Sequence, residues 1–134
     1  MNYWLIKSDP QTYSWETFVK EGKTVWDGVR NYQARNNLKL MKCNDLVLFY
    51  HSVQELQVIG IAKVVKEYYP DPSAPGESWV VVELVPEKSF QKPVSLEMIK
   101  KDSALQDTAL IRQARLSVMP VSKEQFNKIV AMSK

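Results

Sequence analysis

Four short segments of the chain place polar side chains beside aromatic ones where strands are expected to end. They comprise residues 4–10, 25–36, 49–52 and 112–120. A nucleobase is recognised by a flat apolar surface on which it stacks and by hydrogen-bonding groups that meet its edge. Trp26 and Asn31 offer both within one segment. The pattern therefore predicts a nucleobase-binding site.

The arginines of the chain all fall within two of these four segments, residues 25–36 and 112–120. There are only four, Arg30, Arg35, Arg112 and Arg115, whereas the lysines are scattered along the whole sequence. A planar guanidinium suits phosphates and base edges better than the ammonium of lysine does. The arginines therefore indicate anion or base recognition, with two local salt-bridge clusters as the structural alternative.

A single aromatic wall is not sufficient to hold a base taken from a duplex. Stacking one base on an aromatic ring contributes about 1–3 kcal/mol, and extracting a base from a duplex costs a few kcal/mol. The two effects roughly balance. Hydrogen bonds to the base edge and contacts to phosphates must therefore supply the net affinity.

Few residues of this sequence are suited to catalysis or metal binding. The single cysteine, Cys43, and the single histidine, His51, exclude a Cys/His zinc site by count. Lys7, Tyr50 and His51 are able to serve as acid and base for RNA cleavage, although Tyr50 and His51 alternate faces on one strand. We predict a binding protein without catalytic residues, metal or cofactor, and keep a ribonuclease as the alternative.

Length and composition describe an ordinary globular protein. The chain has 134 residues, of which 45% are hydrophobic and 25% charged, so we predict one domain over residues 1–134. A net charge of +3 is too small to indicate nucleic-acid binding alone. The sequence shows no membrane-length apolar run and no secretory signal, and its lone cysteine fits a reducing compartment. We expect a cytoplasmic protein, or a nuclear one in a eukaryote, with no membrane partner.

Short strands and helices are expected to position these residues. Strands are predicted at Tyr3–Lys7, Thr24–Trp26, Leu46–His51, Val58–Val65, Trp79–Val85 and Leu116–Val121. Helices are expected after capping residues at Ser14, Asn31, Ser95 and Ser122. Closing such strands into a small barrel removes exposed sheet edges. We therefore predict an α+β pseudo-barrel of five to six mostly antiparallel strands with short helices at the rims.

The four tryptophans are expected to divide between core and site. Trp4, Trp15 and Trp79 lie within or beside apolar runs and are predicted to be core residues. Trp26 precedes an Asp-Gly turn at a strand end, which favours a place in the pocket. Gly60 stands inside a strand, where glycine marks a bulge or a close approach.

The whole chain resembles the EVE domain of the PUA-like superfamily. The opening run Tyr3–Pro10 resembles that family's first motif, and residues 26–37 resemble its most specific signature. Residues 45–51, the Gly60 strand, residues 69–72 and residues 115–120 also match in order. The chain departs from the family at Asp9, where a glutamate is usual, and at Cys43-Asn44, where a glycine-containing turn is usual.

The resemblance implies a non-catalytic module that reads a modified base in an aromatic pocket. EVE domains are similar to YTH domains, which bind methylated adenine in RNA, and EVE proteins are implicated in recognising modified cytosine in DNA. The implied partner is nucleic acid carrying a modified base, with DNA favoured over RNA. A partner nuclease is a further implied association.

The resemblance also implies a set of site residues. The implied base pocket comprises Lys7, Ser8, Trp26, Val29, Asn31, His51, Ser117, Val118 and Met119. Trp26 would form the cage wall, and Lys7 and Ser8 would contact the base edge or the adjacent backbone. Asn31 would hydrogen-bond the base, and residues 117–119 would line the opposite side. The four arginines would hold phosphates or brace the pocket.

Two other functions compete with this reader hypothesis. The PUA-like superfamily includes ASCH proteins, some of which resemble RNA-cleaving enzymes, so an RNA-binding or RNA-cleaving protein of that type is one alternative. An interaction module without a base pocket is the other. For individual residues, the structural alternatives are that Asn31 only caps a helix and that Asp27 and Arg30 form only a local salt bridge.

Overall fold

Six strands of one mixed sheet form the centre of the molecule, whose computed structural model describes residues 1–134. The strands are β1 (Tyr3–Ser8), β2 (Thr24–Trp26), β3 (Leu46–His51), β4 (Gln57–Pro70), β5 (Val80–Ser95) and β6 (Val118–Val121). Their order in the sheet is β2-β5-β4-β3-β1-β6. Only β1 and β3 run parallel, and all other neighbours are antiparallel. The predicted α+β class and mostly antiparallel pairing are therefore confirmed.

The sheet has two free ends and is not closed into a barrel, which differs from the expected closure. At one end β2 pairs with β5 through three residues, and at the other β6 pairs with β1 through four. Very short edge strands offer few unpaired backbone groups to other chains. The two end strands therefore expose little edge themselves, although β2 covers only Val82–Leu84 of β5.

Five α-helices surround the sheet. They are α1 (Trp15–Glu21), α2 (Tyr32–Leu40), α3 (Leu96–Lys101), α4 (Ala109–Arg112) and α5 (Lys123–Met132), with a 3-10 turn at Ser103–Leu105. All four predicted capping side chains accept a hydrogen bond from a backbone N–H of their helix. None of the helices has both the length and the apolar character that a membrane span requires.

The tryptophans divide differently from the prediction. Trp4 and Trp15 are buried in the core, as expected. Trp79 is not a core residue. It lies at the end of the proline-rich loop, residues 71–79 between β4 and β5, and its ring stacks on Tyr32, with 5.1 Å between centroids and 27° between planes. It is half-buried, beneath an exposed tyrosine.

Gly60 is both a bulge and a place of close approach, as its position in a strand predicted. The register between β4 and β5 shifts between Val58 and Gly60. The Trp15 indole lies so close to Gly60 that a Cβ at this position would overlap the ring. The indole Nε1 donates to Ser89 Oγ at 2.9 Å. Glycine is therefore required for Trp15 to pack on the sheet.

Candidate nucleobase-binding cleft

A cleft of ≈ 500 Å³ opens at the carboxyl end of β1. It is lined by residues 7–9, 12–13 and 24–30 and by Ser117. Backbone bonds fix its floor, because the Lys7 N–H donates to the Ser117 carbonyl and the Ser52 N–H donates to the Ser8 carbonyl, both at 2.9 Å. Its volume lies within the range of small-molecule sites, about 300–1,000 Å³.

Trp26 forms part of the cleft wall. It is the last residue of the edge strand β2 and is half-buried. Its ring meets Tyr13 at 6.2 Å and Phe49 at 5.7 Å, in both cases edge to face. Neither neighbour stacks parallel to the indole. The two edge-to-face contacts hold the Trp26 ring in place while the ring lines the cleft.

Lys7 and Ser8 bring polar groups to the same cleft at the end of β1. Lys7 Nζ donates to the Ala114 carbonyl at 2.7 Å, which leaves two of its three donors for a ligand. Burial lowers the pKa of Lys7 below its ordinary 10.5. Ser8 is buried, and its hydroxyl donates to the Tyr13 carbonyl. Lys7 is therefore the group with donors to spare.

The loop after Trp26 is held by one buried carboxylate. Asp71 Oδ2 accepts from the Gly28 N–H at 3.1 Å and from Arg30 Nη1 at 3.0 Å, and Asp71 Oδ1 accepts from Ser73. Burial alone would raise the pKa of Asp71, but these hydrogen bonds outweigh it and lower the pKa to about 2. Gly28 has a φ of 77°, a backbone conformation that glycine adopts without strain.

Sequence reasoning missed Asp71 and assigned Arg30 differently. The alternative to a phosphate role for Arg30 was a local pair with Asp27, whereas the observed ion pair joins Arg30 to Asp71, 41 residues away. The signal in the sequence was the Asp71-Pro72-Ser73 run of the proline-rich loop, because an aspartate there favours a turn closed by its own side chain. Nothing in that run points to the cleft.

Three of the predicted pocket residues are buried elsewhere. His51 is 6% exposed, and its Nε2 accepts from the Trp15 N–H at 3.0 Å. Burial lowers the pKa of His51, in keeping with a neutral ring that accepts a hydrogen bond. Val118 and Met119 are fully buried in the core. These three side chains do not line the cleft, because β3 and β6 turn them towards the packed interior.

Asn31 also lies outside the cleft. Its side chain accepts from the Ala34 N–H at 2.9 Å and caps α2, which is the structural alternative raised above. It lines a neighbouring groove of ≈ 350 Å³ together with Gln33, Gln113, Ala114, Arg115 and Leu116. The predicted residues that do meet in the cleft are Lys7, Ser8, Trp26, Val29, Arg30 and Ser117.

The four arginines fall into two pairs. Arg30 is bound to Asp71, and Arg112 donates to Asp107 at 2.8 Å. Arg35 donates to Ser78 Oγ at 2.8 Å and to Asn36 Oδ1, which are neutral acceptors, and Arg115 is exposed. No carboxylate lies within ion-pair distance of Arg35 or Arg115. The salt-bridge alternative thus describes Arg30 and Arg112, and the uncompensated charge lies on the other two.

The three residues considered for RNA cleavage do not converge on the cleft. Lys7 lines it, whereas His51 is occupied by the Trp15 backbone. Burial raises the pKa of Tyr50 to about 12, and Lys7 Nζ lies 6.0 Å from the Tyr50 ring centroid. An acid–base pair needs both groups within hydrogen-bond reach of a reacting atom. This geometry offers one such group, not two.

Comparison with known proteins gives a consistent result along the whole chain. A sequence model of the EVE domain matches residues 2–132. Thymocyte nuclear protein 1 of Rattus norvegicus is 33% identical over 165 residues, covering 98% of this chain and 73% of that protein.

Two solved structures resemble the molecule closely. A protein from Agrobacterium tumefaciens is 40% identical, with a TM-score of 0.97 over 99% of this chain and 93% of that one. The human THYN1 protein in complex with 5-methylcytosine containing DNA is 29% identical, with a TM-score of 0.94 over 100% and 98% of the two chains.

Proposed function

Because this chain belongs to the EVE domain family, whose PUA-like fold it shares, we propose that it binds DNA carrying a modified cytosine and holds that base in the cleft beside Trp26. The observation that carries this proposal is the cleft itself, a ≈ 500 Å³ space with an indole in its wall and a lysine at its edge. The related human protein was crystallised with 5-methylcytosine containing DNA, which supports the choice of ligand.

Each cleft residue has a role that its position supports. The base stacks on the Trp26 indole, for about 1–3 kcal/mol. Lys7 Nζ lies at the cleft edge with two free donors, which suits the acceptor oxygen or nitrogen of a pyrimidine edge. Ser117 lines the cleft beside Lys7 and offers a hydroxyl that donates or accepts. No bond of the ligand is broken in this proposal.

The fixed loop favours binding because little has to be ordered when a ligand enters. Gly28 and Arg30 are tied to the buried Asp71 carboxylate before any ligand arrives. Ordering one flexible side chain on binding costs about 0.5–1.5 kcal/mol. A loop that is already fixed avoids that cost, which matters where stacking and base extrusion nearly cancel.

The test is a binding panel of short strands that differ only in one central base. Cytosine, 5-methylcytosine and 5-hydroxymethylcytosine are placed in the same DNA sequence, single-stranded and duplex. We expect the protein to bind a modified strand more tightly than the unmodified one. We also expect every strand to keep its full length after incubation with the protein. Trp26→Ala should weaken binding of the modified strand by about 10-fold or more, which is the loss expected from one stacking contact. The preference over the unmodified strand should be lost with it, because the base is then no longer held in the cleft.

Two controls keep the result interpretable. Trp26→Phe preserves an aromatic wall and should retain most of the preference, while Tyr68→Ala removes an exposed aromatic ring that does not line the cleft and should change nothing. Full discrimination by a folded Trp26→Ala variant would overturn the assignment of the cleft. Shortened strands, with loss of shortening in Lys7→Ala, would favour the ribonuclease alternative.

A further inference from the structure

Tyr32 presents an aromatic ring to solvent at the start of α2. The residue is 65% exposed, and its ring stacks on Trp79 with centroids 5.1 Å apart and planes at 27°. Trp79 is itself half-buried and precedes the long strand β5. The tryptophan thus supports the tyrosine from below and limits its rotation.

Arg35 lies beside this pair of rings and not above them. Its guanidinium carbon is 5.0 Å from the Tyr32 centroid and 5.9 Å from the Trp79 centroid. With the rings 5.1 Å apart, a cation on the outer face of Tyr32 would be much farther from Trp79. Arg35 therefore does not cover the outer face of the solvent-exposed Tyr32 ring, and it places a positive charge at the side of that ring.

The charge next to the ring is not compensated. Arg35 donates to Ser78 Oγ and Asn36 Oδ1, which hold the guanidinium in place without neutralising it. The pair of rings also adjoins the cleft, because the guanidinium of Arg30 lies 5.7 Å from Trp79 and Arg30 lines the cleft. An exposed aromatic face, a fixed cation and the adjoining cleft thus occur side by side.

We propose that Tyr32, Trp79 and Arg35 form a stacking platform for an unpaired nucleobase that neighbours the base held in the cleft, with Arg35 binding the phosphate between them. This rests on the proposed function, because it assumes that the same strand enters the cleft. Proteins that bind single strands combine aromatic rings, on which any base can stack, with cations that follow the backbone. The platform adds affinity without reading the modification.

The platform predicts a different mutational signature from that of the cleft. Tyr32→Ala should weaken binding of single-stranded DNA about 10-fold, and equally for strands with cytosine and with 5-methylcytosine. Tyr32→Phe should bind as the wild type does, because it retains the ring. Tyr68→Ala serves as the matched loss of an exposed tyrosine that does not stack on Trp79. Trp26→Ala should instead reduce the ratio between the two strands.

A fluorescent base locates the stacking position directly in the wild-type protein. A set of strands is used, each with 5-methylcytosine at its centre. Each strand carries one 2-aminopurine, placed one or two nucleotides to the 5′ or the 3′ side of the 5-methylcytosine. We expect quenching at one of these positions, and its loss in Tyr32→Ala but not in Tyr32→Phe.

The possible failures are distinguishable. Equal fluorescence at every position in the wild type, or unchanged affinity of a folded Tyr32→Ala variant, overturns the platform and leaves the cleft untouched. Retained discrimination in Trp26→Ala overturns the proposed function. A Tyr32→Ala variant that loses preference for the modified base, and not overall affinity, also contradicts the platform, because Tyr32 would then be part of the reading site.

Discussion

Trp15 and Trp26 pack against the same phenylalanine in two regions of opposite character. The centroid of Trp15 is 5.2 Å from that of Phe49, and its indole covers Gly60 and donates to Ser89. Trp26 is 5.7 Å from Phe49, yet it is half-buried and lines the cleft. One indole closes the core and the other borders open space.

The difference comes from the elements that carry the two residues. Trp15 begins a helix that packs on the sheet, so it is covered from both sides. Trp26 ends a three-residue edge strand, and the Gly28 turn follows it. Sites for ligands commonly lie where loops leave a rigid scaffold. An aromatic residue thus becomes available to a ligand when its strand ends at the sheet edge.

The largest effect that sharpens this contrast is expected from Trp15→Ala. Removing a buried aromatic ring lowers the free energy of unfolding by about 3–5 kcal/mol. Trp26→Ala should cost far less stability, because the ring is only partly covered. Urea unfolding of both variants measures the difference. Equal losses of stability in the two variants would remove the contrast between core and cleft.

The next largest effect is expected from the carboxylate that fixes the cleft loop. The pKa of Asp71 is about 2, below its ordinary 3.8, so its charge stabilises the folded state above about pH 4, and this stability is lost as the pH falls towards 2. Asp71→Asn should lower the free energy of unfolding by about 2 kcal/mol at pH 7. The gap between variant and wild type should close near pH 2. If the free energies of unfolding of the variant and the wild type keep the same difference from pH 5 to pH 2, Asp71 does not contribute to stability in this way.

A smaller effect of pH on stability is expected from His51, whose ring accepts a hydrogen bond from the Trp15 N–H. Burial lowers the pKa of His51, so the neutral ring stabilises the fold above pH 6.5, and that stability declines as the pH falls below 6.5. His51→Gln removes the titrating group and should flatten this part of the curve. Thermal unfolding between pH 7.5 and pH 5 measures it. An unchanged slope in the variant would show that His51 does not titrate in this way.

The smallest effects should come from single arginines outside the cleft. Arg115→Ala should weaken binding of all strands alike and reduce the salt dependence by about one unit of slope if Arg115 contacts a phosphate. Arg112→Ala should change less, because Asp107 already compensates its charge. Titrations at several salt concentrations separate the two variants. If Arg112→Ala weakens binding more than Arg115→Ala does, the conclusion that Arg115 rather than Arg112 carries an uncompensated charge is wrong.

Local features of this fold were predictable from sequence. The capping residues Ser14 and Ser122 bond to the helices that follow them, because a cap depends on three or four adjacent residues. Gly60 was also identified, since glycine within a strand has few explanations. The placement of Trp26 beside a cleft followed from its turn.

Long-range contacts were not predictable in the same way. Strand β5 was expected to end at Val85 but continues to Ser95, because β4 supplies partners as far as Ser89 and again at Val94 and Ser95. Trp79 was assigned to the core, since no local signal shows that Tyr32 lies over it. Asp71 reaches a loop more than 40 residues away in sequence. Periodicity along one segment carries no information about such partners.

The position of β1 between β3 and β6 has a consequence for synthesis on the ribosome. Tyr3 pairs with Val121, and Lys7 bonds to Ser117 and Ala114. Strand β1 therefore waits with one side unpaired until β6, more than a hundred residues later in the chain, has been translated. We therefore expect the cleft to form only after residues 114–121 have left the tunnel, so that a nascent-chain pulldown with methylated DNA detects binding only beyond that point of elongation.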